Sequence, residues 1–539
     1  MRPTQQQRPA WHTCRIIFMN FARVHGAQIQ FLKAHVVNVE ADISRGLFSF
    51  SIVGLPDKAV EESRDRVSAA IKNSGLKPPK SKNEKVVISL APADMKKEGP
   101  VFDVPIALAY AIASGDISFD PAKKLFVGEL SLDGKVMPVR GTLLIAEEAK
   151  KRGFEELYVP EENAIEAALI RGIKIFPIKT LQQLLNHLSK NKEKSAQVKN
   201  ETIDHREPTE IIPTFSEIDL DLSEIRGQET GKRGLEIAAS GGHNIALYGP
   251  PGTGKTMLAK GFRGLLPNLN EDEMLEVTGI HSAAGTLRET IITTPPFRSP
   301  HHTASYVSVI GGGAIPKPGE ATLAHRGVLF LDEFPEFETR VLESLRQPLE
   351  DRVVNISRSR GFALFPASFI LVAALNPCPC GNRGNKKQQC TCTASAIARY
   401  ERKLSGPIID RVDMWIEVGT IDYQKLSGES DGEKSETIRN RVMKARSRQK
   451  ERFASFKKSG RLNSEMKAKD IIEMSRITEN AEKLLRQSAE KFNFSARAYH
   501  KAIKLARTIA DLAESDEILD EHILEAIRYR PRESFLSRS

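Results

Sequence analysis

The stretch His243 to Thr256, HNIALYGPPGTGKT, decides the fold class. Its first half is an apolar run of the length of one buried strand, and a glycine-rich loop follows it. Gly249, Gly254, Lys255 and Thr256 satisfy G-x-x-x-x-G-K-[ST], with Gly252 and Thr253 inside the loop. At this spacing the glycines let backbone N–H groups close around phosphate oxygens, the lysine amine reaches the terminal phosphates, and the threonine hydroxyl holds Mg²⁺. Strand, phosphate loop and helix are therefore expected in that order, binding ATP with Mg²⁺.

A second apolar run, Val328 to Leu331, ends directly in Asp332 and Glu333. A carboxylate at the carboxyl end of a parallel strand can hold Mg²⁺ through water, and an adjacent glutamate can polarise the attacking water. Asp332 is thus expected on the metal side and Glu333 as the catalytic base; the other reading is an exposed acidic turn. A third run, Phe369 to Leu375, ends at Asn376, where a polar sensor of the γ-phosphate belongs. Three strand ends converging on one ligand imply an α/β core.

Outward from that core, 539 residues with 40% hydrophobic content suffice for about three domains. No apolar run approaches the roughly 20 residues of a membrane span, and the N-terminus MRPTQQQRPAWHTCRIIFMNF lacks a clean signal-peptide core. The expectation is a cytoplasmic protein with no membrane partner. A formal charge of +10 fits an anionic partner beyond the nucleotide, although it is modest for this length. Four of the five cysteines, Cys378, Cys380, Cys390 and Cys392, form C-x-C-x₉-C-x-C. Four thiolates so close can surround one Zn²⁺ tetrahedrally and leave no open position, which makes the site structural. Free thiols and redox chemistry are the alternatives.

Residues 1–18 are expected to form a disordered extension, with the fold starting at Met19. From 19 to 187, strands at 35–43, 48–53, 85–90 and 174–177 alternate with amphipathic helices such as 58–73 and 104–113, which gives an α/β or α+β domain. This domain resembles the proteolytic domain of Lon-type proteases through KKEGPVFDVPIALA (96–109) and VGELSLDGKVMPVRGTLLIAEEAKKRG (127–153). The resemblance would place a nucleophilic serine just after the Gly-Pro pair and an activating lysine in the second segment. Val101 and Leu143 stand there, and neither supports a Ser–Lys mechanism, which needs a hydroxyl and an amine of depressed pKa. Ser131 and Lys135 lie near, in an expected strand and turn. The domain is thus Lon-like without the dyad.

Residues 188–215 are charged and aperiodic, an interdomain linker, and the ATPase core is expected over 216–424. About 75 residues separate Lys255 from Asp332, which implies an insertion, placed at Phe297 to Glu320. His301 and His302 within it read as loop polar groups. Residues 351–366 alternate as a hairpin does and carry Arg352, Arg358 and Arg360, which suit phosphate contacts or a solvated face. After a Gly/Ser/Glu-rich spacer at 425–436, heptad-like spacing continues to Arg530, so 425–532 is expected to be a helical lid domain.

DISRGLFSFSIVGLPDKAVEESRDRV, YGPPGTGKT, FRSPHHTAS, GVLFLDEFPEF, LRQPLE, NPCPCG, SGPIIDRVD and SARAYHKAIKLARTIADL together resemble the YifB/ComM family of magnesium-chelatase-like AAA+ ATPases. The resemblance runs from about Met19 to Arg530. It implies a Lon-like N-terminal domain, an AAA+ core and a helical C-terminal domain, assembled as a hexameric ring. It also implies a turn at Ile225, Arg226, Gly227 and Gln228 beside the adenine. Arg411 would reach the neighbouring subunit's γ-phosphate, with a surface salt bridge as the other reading, and Arg497 would be a second sensor. ComM members are branch-migration helicases in natural transformation, so the expected function is a DNA motor on single-stranded or branched DNA. The alternatives are a magnesium-chelatase-like or a protein-remodelling ATPase without DNA activity.

Overall fold

The computed structural model describes residues 20–189, 202–211, 220–313, 316–358, 361–383, 388–404, 406–420, 432–458 and 462–531. The extension at 1–18, Met19, Arg360 and parts of the linker and the 425–436 spacer lie outside them. The chain divides into two compact units between Glu210 and Ile211.

The first unit is built on β1 (Phe21–Gln30), β2 (Lys33–Arg45), β3 (Ser49–Val53), β4 (Glu84–Ala91), β5 (Lys124–Phe126), β8 (Glu156–Pro160) and β9 (Lys174–Ile178), with a small hairpin of β6 (Glu129–Leu130) and β7 (Val136–Met137) beside them. The seven-stranded sheet has the order β3-β4-β2-β1-β5-β8-β9. It mixes the antiparallel pairs β1–β2 and β2–β4 with four parallel ones, as suits an α+β layer. The helix Lys58–Asn73 has the bounds its periodicity predicts; Asp57 caps it by accepting from Val60 N at 2.9 Å. Leu143 is 1% exposed and Val101 packs against the core, so apolar side chains fill both places where the Lon resemblance would require chemistry. The Lys135 amine pairs with Asp133 in the turn between β6 and β7, and Ser131 Oγ also turns to Asp133.

The tail of the expected linker is fastened to this unit. Ile203 is buried among its apolar residues, Arg206 N donates to Ile175 O at 2.7 Å and Thr209 N to Ala168 O at 2.9 Å. One isoleucine among polar neighbours, with backbone groups to satisfy, is enough to dock the segment.

The second unit centres on β10 (Ile245–Tyr248), β11 (Phe297–Arg298), β14 (Val328–Leu331), β17 (Ile370–Leu375) and β18 (Met414–Glu417). Their order is β11-β14-β17-β10-β18 and every pairing is parallel. β10, β14 and β17 are buried along their whole length, as strands covered on both faces must be. β17 lies between β10 and β14, so Asn376 emerges between the phosphate loop and Asp332.

The expected insertion at 297–320 starts inside the sheet, because Phe297 and Arg298 form its edge strand. A bidentate pair from Arg298 to Glu320 (2.6 and 2.8 Å) closes the excursion, which contains the helix Tyr306–Ile310 and the short strands β12 (Gly311–Gly312) and β13 (Lys317–Pro318). A second excursion is the hairpin of β15 (Val353–Arg358) and β16 (Gly361–Pro366), in register from Val353↔Pro366 to Arg358↔Gly361. Val354, Ile356, Ala363 and Phe365 form its buried face; Phe362 (62% exposed) and Leu364 (50%) stand on the opposite one. Arg352 corrects its expected place. It sits at the hairpin base and is held by Glu465 Oε1 at 2.9 Å and Ser368 Oγ at 3.0 Å, because a neighbouring carboxylate competes with solvent for the guanidinium.

Five C-terminal helices, Ser435–Ser455, Ala468–Met474, Glu479–Lys491, Ala496–Leu512 and Asp520–Arg528, belong to this second unit. Ile438, Val442, Leu485, Ala506 and Ile523 join one apolar cluster with Leu235, Ile245, Phe330 and Ile416, so the helical region shares its core with the sheet.

Candidate active site

β10 ends in the loop that carries Gly249 to Lys255. Gly252 and Gly254 have φ of +73° and +92°, where a side chain is strained. At Gly249 a Cβ would fall 2.1 Å from Val418 O, so only glycine fits beside β18. Lys255 Nζ donates to Gly249 O (2.8 Å), Pro250 O (2.7 Å) and Asn376 Oδ1 (3.1 Å). Burial pushes its pKa down, and the Asp332 charge acts against that. Thr253 Oγ1 donates to Pro250 O at 2.9 Å, which stiffens the turn.

Thr256 Oγ1 donates to Asp332 Oδ2 at 2.9 Å. A hydroxyl and a carboxylate oxygen brought together beside the phosphate loop are the hard donors that Mg²⁺ takes, usually with waters and phosphate oxygens completing its shell. Glu333 follows in a left-handed conformation (φ +51°), its N–H donating to Asp332 Oδ1 at 2.9 Å. Gln228, also left-handed, donates through Nε2 to Thr253 O (3.1 Å) and Gly419 O (2.7 Å), which ties the entry turn to the loop and to the end of β18. The residues present fit ATP and Mg²⁺. Bound there, the metal supplies charge that screens the phosphates, while the chain supplies amine, backbone N–H groups and a carboxylate.

Sequence spacing does not reveal four contacts, three at the site and one at the opposite end of the sheet, where Asn244 Nδ2 donates to Arg411 O at 3.1 Å just before β10. His302 Nδ1 is 3.0 Å from Glu333 Oε2, and His301 lies against it with ring centroids 4.2 Å apart. Tyr400 donates to Asn376 O at 3.1 Å. Gly381 packs so closely on the phosphate loop that a Cβ there would fall 2.5 Å from Pro251 Cδ. Glu350, from the quoted LRQPLE motif, is the fourth. Its Oε1 lies 2.6 Å from Arg411 Nη2 and 3.4 Å from Arg497 Nη2. Arg411 also donates to Arg346 O (3.2 Å) and Pro407 O (2.5 Å) and is 9% exposed, whereas Arg497 is 62% exposed at the start of its helix.

Two residues beyond Asn376 the cysteine cluster begins. The sulfurs of Cys378, Cys380, Cys390 and Cys392 lie within 4.8 Å of one another. The separations are 3.5 Å for Cys378–Cys380, 3.7 Å for Cys378–Cys390 and 3.6 Å for Cys380–Cys390. Zinc–sulfur bonds of about 2.3 Å give a tetrahedral edge of roughly 3.8 Å, close to these values, whereas a disulfide needs about 2.0 Å. Backbone N–H groups of Asn382 and Thr391 hold the Cys380 thiol down, to about 5, so it offers a thiolate readily. The donor set fits zinc.

A buried parallel sheet whose strand ends bring phosphate loop, paired acids and Asn376 together defines a P-loop ATPase. Comparison with known proteins narrows the class. The family described as magnesium chelatase, subunit ChlI, matches residues 221–426; subunit ChlI of Mg-chelatase matches 39–163, and the ChlI C-terminal family 432–530. The uncharacterized protein YifB of Escherichia coli (strain K12) is 40% identical over 522 residues, 95% of this chain and 97% of that protein. The competence protein ComM of Haemophilus influenzae is 39% identical over 518 residues, 95% and 98% of the two chains. An archaeal Lon protease of Methanocaldococcus jannaschii is 29% identical over 153 residues, 28% of this chain and 22% of that one. The chain belongs to the YifB/ComM family of magnesium-chelatase-like AAA+ ATPases. Among the described residues, no helix is long and apolar enough to cross a membrane.

Proposed function

We propose that this protein is a ring-forming, Mg²⁺-dependent ATPase that moves on DNA and migrates or unwinds branched intermediates. The observation that carries this reading is the continuity of the β15–β16 hairpin, through β17 on one leg and two short helices on the other, with the strand ends at the nucleotide site. β16 runs through Ala367, Ser368 and Phe369 into β17, whose end presents Asn376 to Lys255 at 3.1 Å. β15 follows two short helices, Thr339–Ser344 and Arg346–Asp351, that come from the strand end bearing Asp332 and Glu333. A change at the γ-phosphate therefore acts on both legs of the hairpin.

Lys255 and the loop N–H groups bind the phosphates, Thr256 and Asp332 hold Mg²⁺, and Glu333 orients the attacking water. Asn376 reads the γ-phosphate, and Arg411 with Arg497 stabilises charge on a nucleotide bound by the neighbouring copy. The cysteines hold one structural zinc. The exposed Phe362 and Leu364 offer apolar surface for base faces, and the net charge of +10 suits a phosphodiester backbone. The name of the Haemophilus influenzae relative, a competence protein, agrees with this reading.

Strand displacement from forked DNA tests it. Replacing Phe362 and Leu364 by alanine should abolish displacement while basal ATP hydrolysis persists. Protein remodelling is the second reading, favoured by the stretch similar to a Lon protease and by the same exposed apolar face. It becomes the better one if the wild-type protein binds neither single-stranded nor branched DNA at low salt with ATP and Mg²⁺.

A further inference from the structure

Glu350 joins two arginines that come from distant parts of the sequence. Arg411 follows the short helix Gly406–Ile409, Arg497 opens the helix Ala496–Leu512, and Glu350 lies in the helix Arg346–Asp351. One carboxylate oxygen faces both, at 2.6 and 3.4 Å, so the two Nη2 atoms are at most 6.0 Å apart. One carboxylate therefore faces both guanidinium groups, and another anion in its place would face both as well.

The three donor atoms of Arg411 are used unequally. Nε and Nη1 are anchored to the backbone carbonyls of Arg346 and Pro407, and Nη2 alone turns to Glu350. The guanidinium would therefore keep its place if the carboxylate withdrew, and it would present Nη2 to another oxyanion. Arg497 is held more loosely: among the described residues Glu350 is its one ion-pair partner, and its side chain is largely exposed. Glu350 itself is 47% exposed, so its end of the pair is open to solvent or to another molecule. A single carboxylate leaves the two arginines with a net positive charge. A terminal phosphate, with more charge and three acceptor oxygens, satisfies them more completely.

We propose that Glu350 is a positioning residue that keeps Arg411 and Arg497 together as one anion site, and that the terminal phosphate of a nucleoside triphosphate held by a neighbouring copy displaces its carboxylate. This rests on the reading that Arg411 acts in trans. Glu350 is then a resting counter-charge that competes with the γ-phosphate, so each copy assembles against a charged nucleotide more readily than against a spent one.

The test is steady-state ATP hydrolysis by the full-length protein with Glu350→Gln, which keeps the shape and removes the charge. With the competitor neutralised, the apparent KM for ATP should fall about two- to fivefold, the scale of an exposed ion pair. Glu350→Asp should stay near the wild-type KM. In an Arg497→Gln background the fall in KM on Glu350→Gln should be smaller than in wild type, because only Arg411 is then left to be freed. An unchanged or raised KM in Glu350→Gln, or additive effects in the double variant, overturns the proposal. If Glu350→Gln does not assemble, Arg497→Gln alone still decides it: with half of the shared anion site removed the KM for ATP should rise, and an unchanged KM overturns the proposal. Failure of the trans reading is separable. Mixed rings of Arg411→Ala and Lys255→Ala chains should regain activity, since some interfaces pair an intact loop with an intact arginine. If they stay inactive while assembled, that reading fails irrespective of Glu350.

Discussion

His302 Nδ1 stands 3.0 Å from Oε2 of Glu333, so an imidazole delivered by the segment after β11 holds the carboxylate that should orient water. A carboxylate engaged in that contact has one lone pair fewer to offer as a base. His302→Ala should therefore raise basal ATP hydrolysis by several-fold and reduce any further stimulation by DNA. A slower basal rate, with ATP affinity unchanged, would mean that the histidine aims the glutamate rather than restrains it.

Gly381 couples the cysteine cluster to the phosphate loop, because it has φ +78° and no room for a Cβ beside Pro251. Gly381→Ala should displace the loop and weaken ATP binding by about tenfold or more, consistent with the cost of strain at such a position. Metal analysis of the same variant should still find about one zinc per chain. Loss of both together would place the defect in the cluster instead.

Cys378→Ser and Cys390→Ser should each lose that zinc and lower the melting temperature, since a structural metal contributes directly to folding. Wild-type protein purified without chelator and found free of zinc would reject the assignment.

Glu276 carries a testable pH dependence. His325 at 3.1 Å and Arg326 at 3.0 Å hold its carboxyl down to about 2, against the cost of burial. A depressed carboxylate contributes stability that is present above its ordinary pKa and lost as pH falls through the folded-state value. The difference in melting temperature between wild type and Glu276→Gln should thus be full above about pH 5 and shrink toward pH 2. A difference that is constant over this range would exclude the ion pairs as its source.

Arg352→Ala should cost stability, about 1 kcal/mol or less for a partly exposed pair with Glu465, and leave DNA binding nearly intact. Comparable loss of DNA binding by Arg352→Ala and by the Phe362, Leu364 double variant would restore Arg352 to the DNA-facing set.

The sequence made the strands of the ATPase legible where burial and chemistry coincide. Val328–Leu331 and Lys58–Asn73 have the predicted bounds, since a fully apolar run and an amphipathic period each leave one reading. β11 is not legible because two residues carry no period, and so the expected insertion includes part of the sheet. His302 reads as a loop polar group because its partner lies on another strand end, and adjacent histidines suggest nothing by spacing. Glu350, Tyr400 and Gly381 escaped for the same reason: each acts across a tertiary contact that no local pattern encodes. At Arg352 the hairpin pattern specifies alternation, not that Glu465 pairs with the guanidinium.

The central claim, a motor whose hydrolysis is tied to DNA, is tested most directly by ATP hydrolysis at low salt with and without a branched DNA substrate, in wild type and Glu333→Gln. The account predicts that branched DNA stimulates the wild-type rate, that added salt steeply removes the stimulation, and that Glu333→Gln binds ATP and DNA but turns over slowly. A wild-type rate indifferent to single-stranded, duplex and branched DNA alike, from assembled protein with Mg²⁺ present, would contradict it.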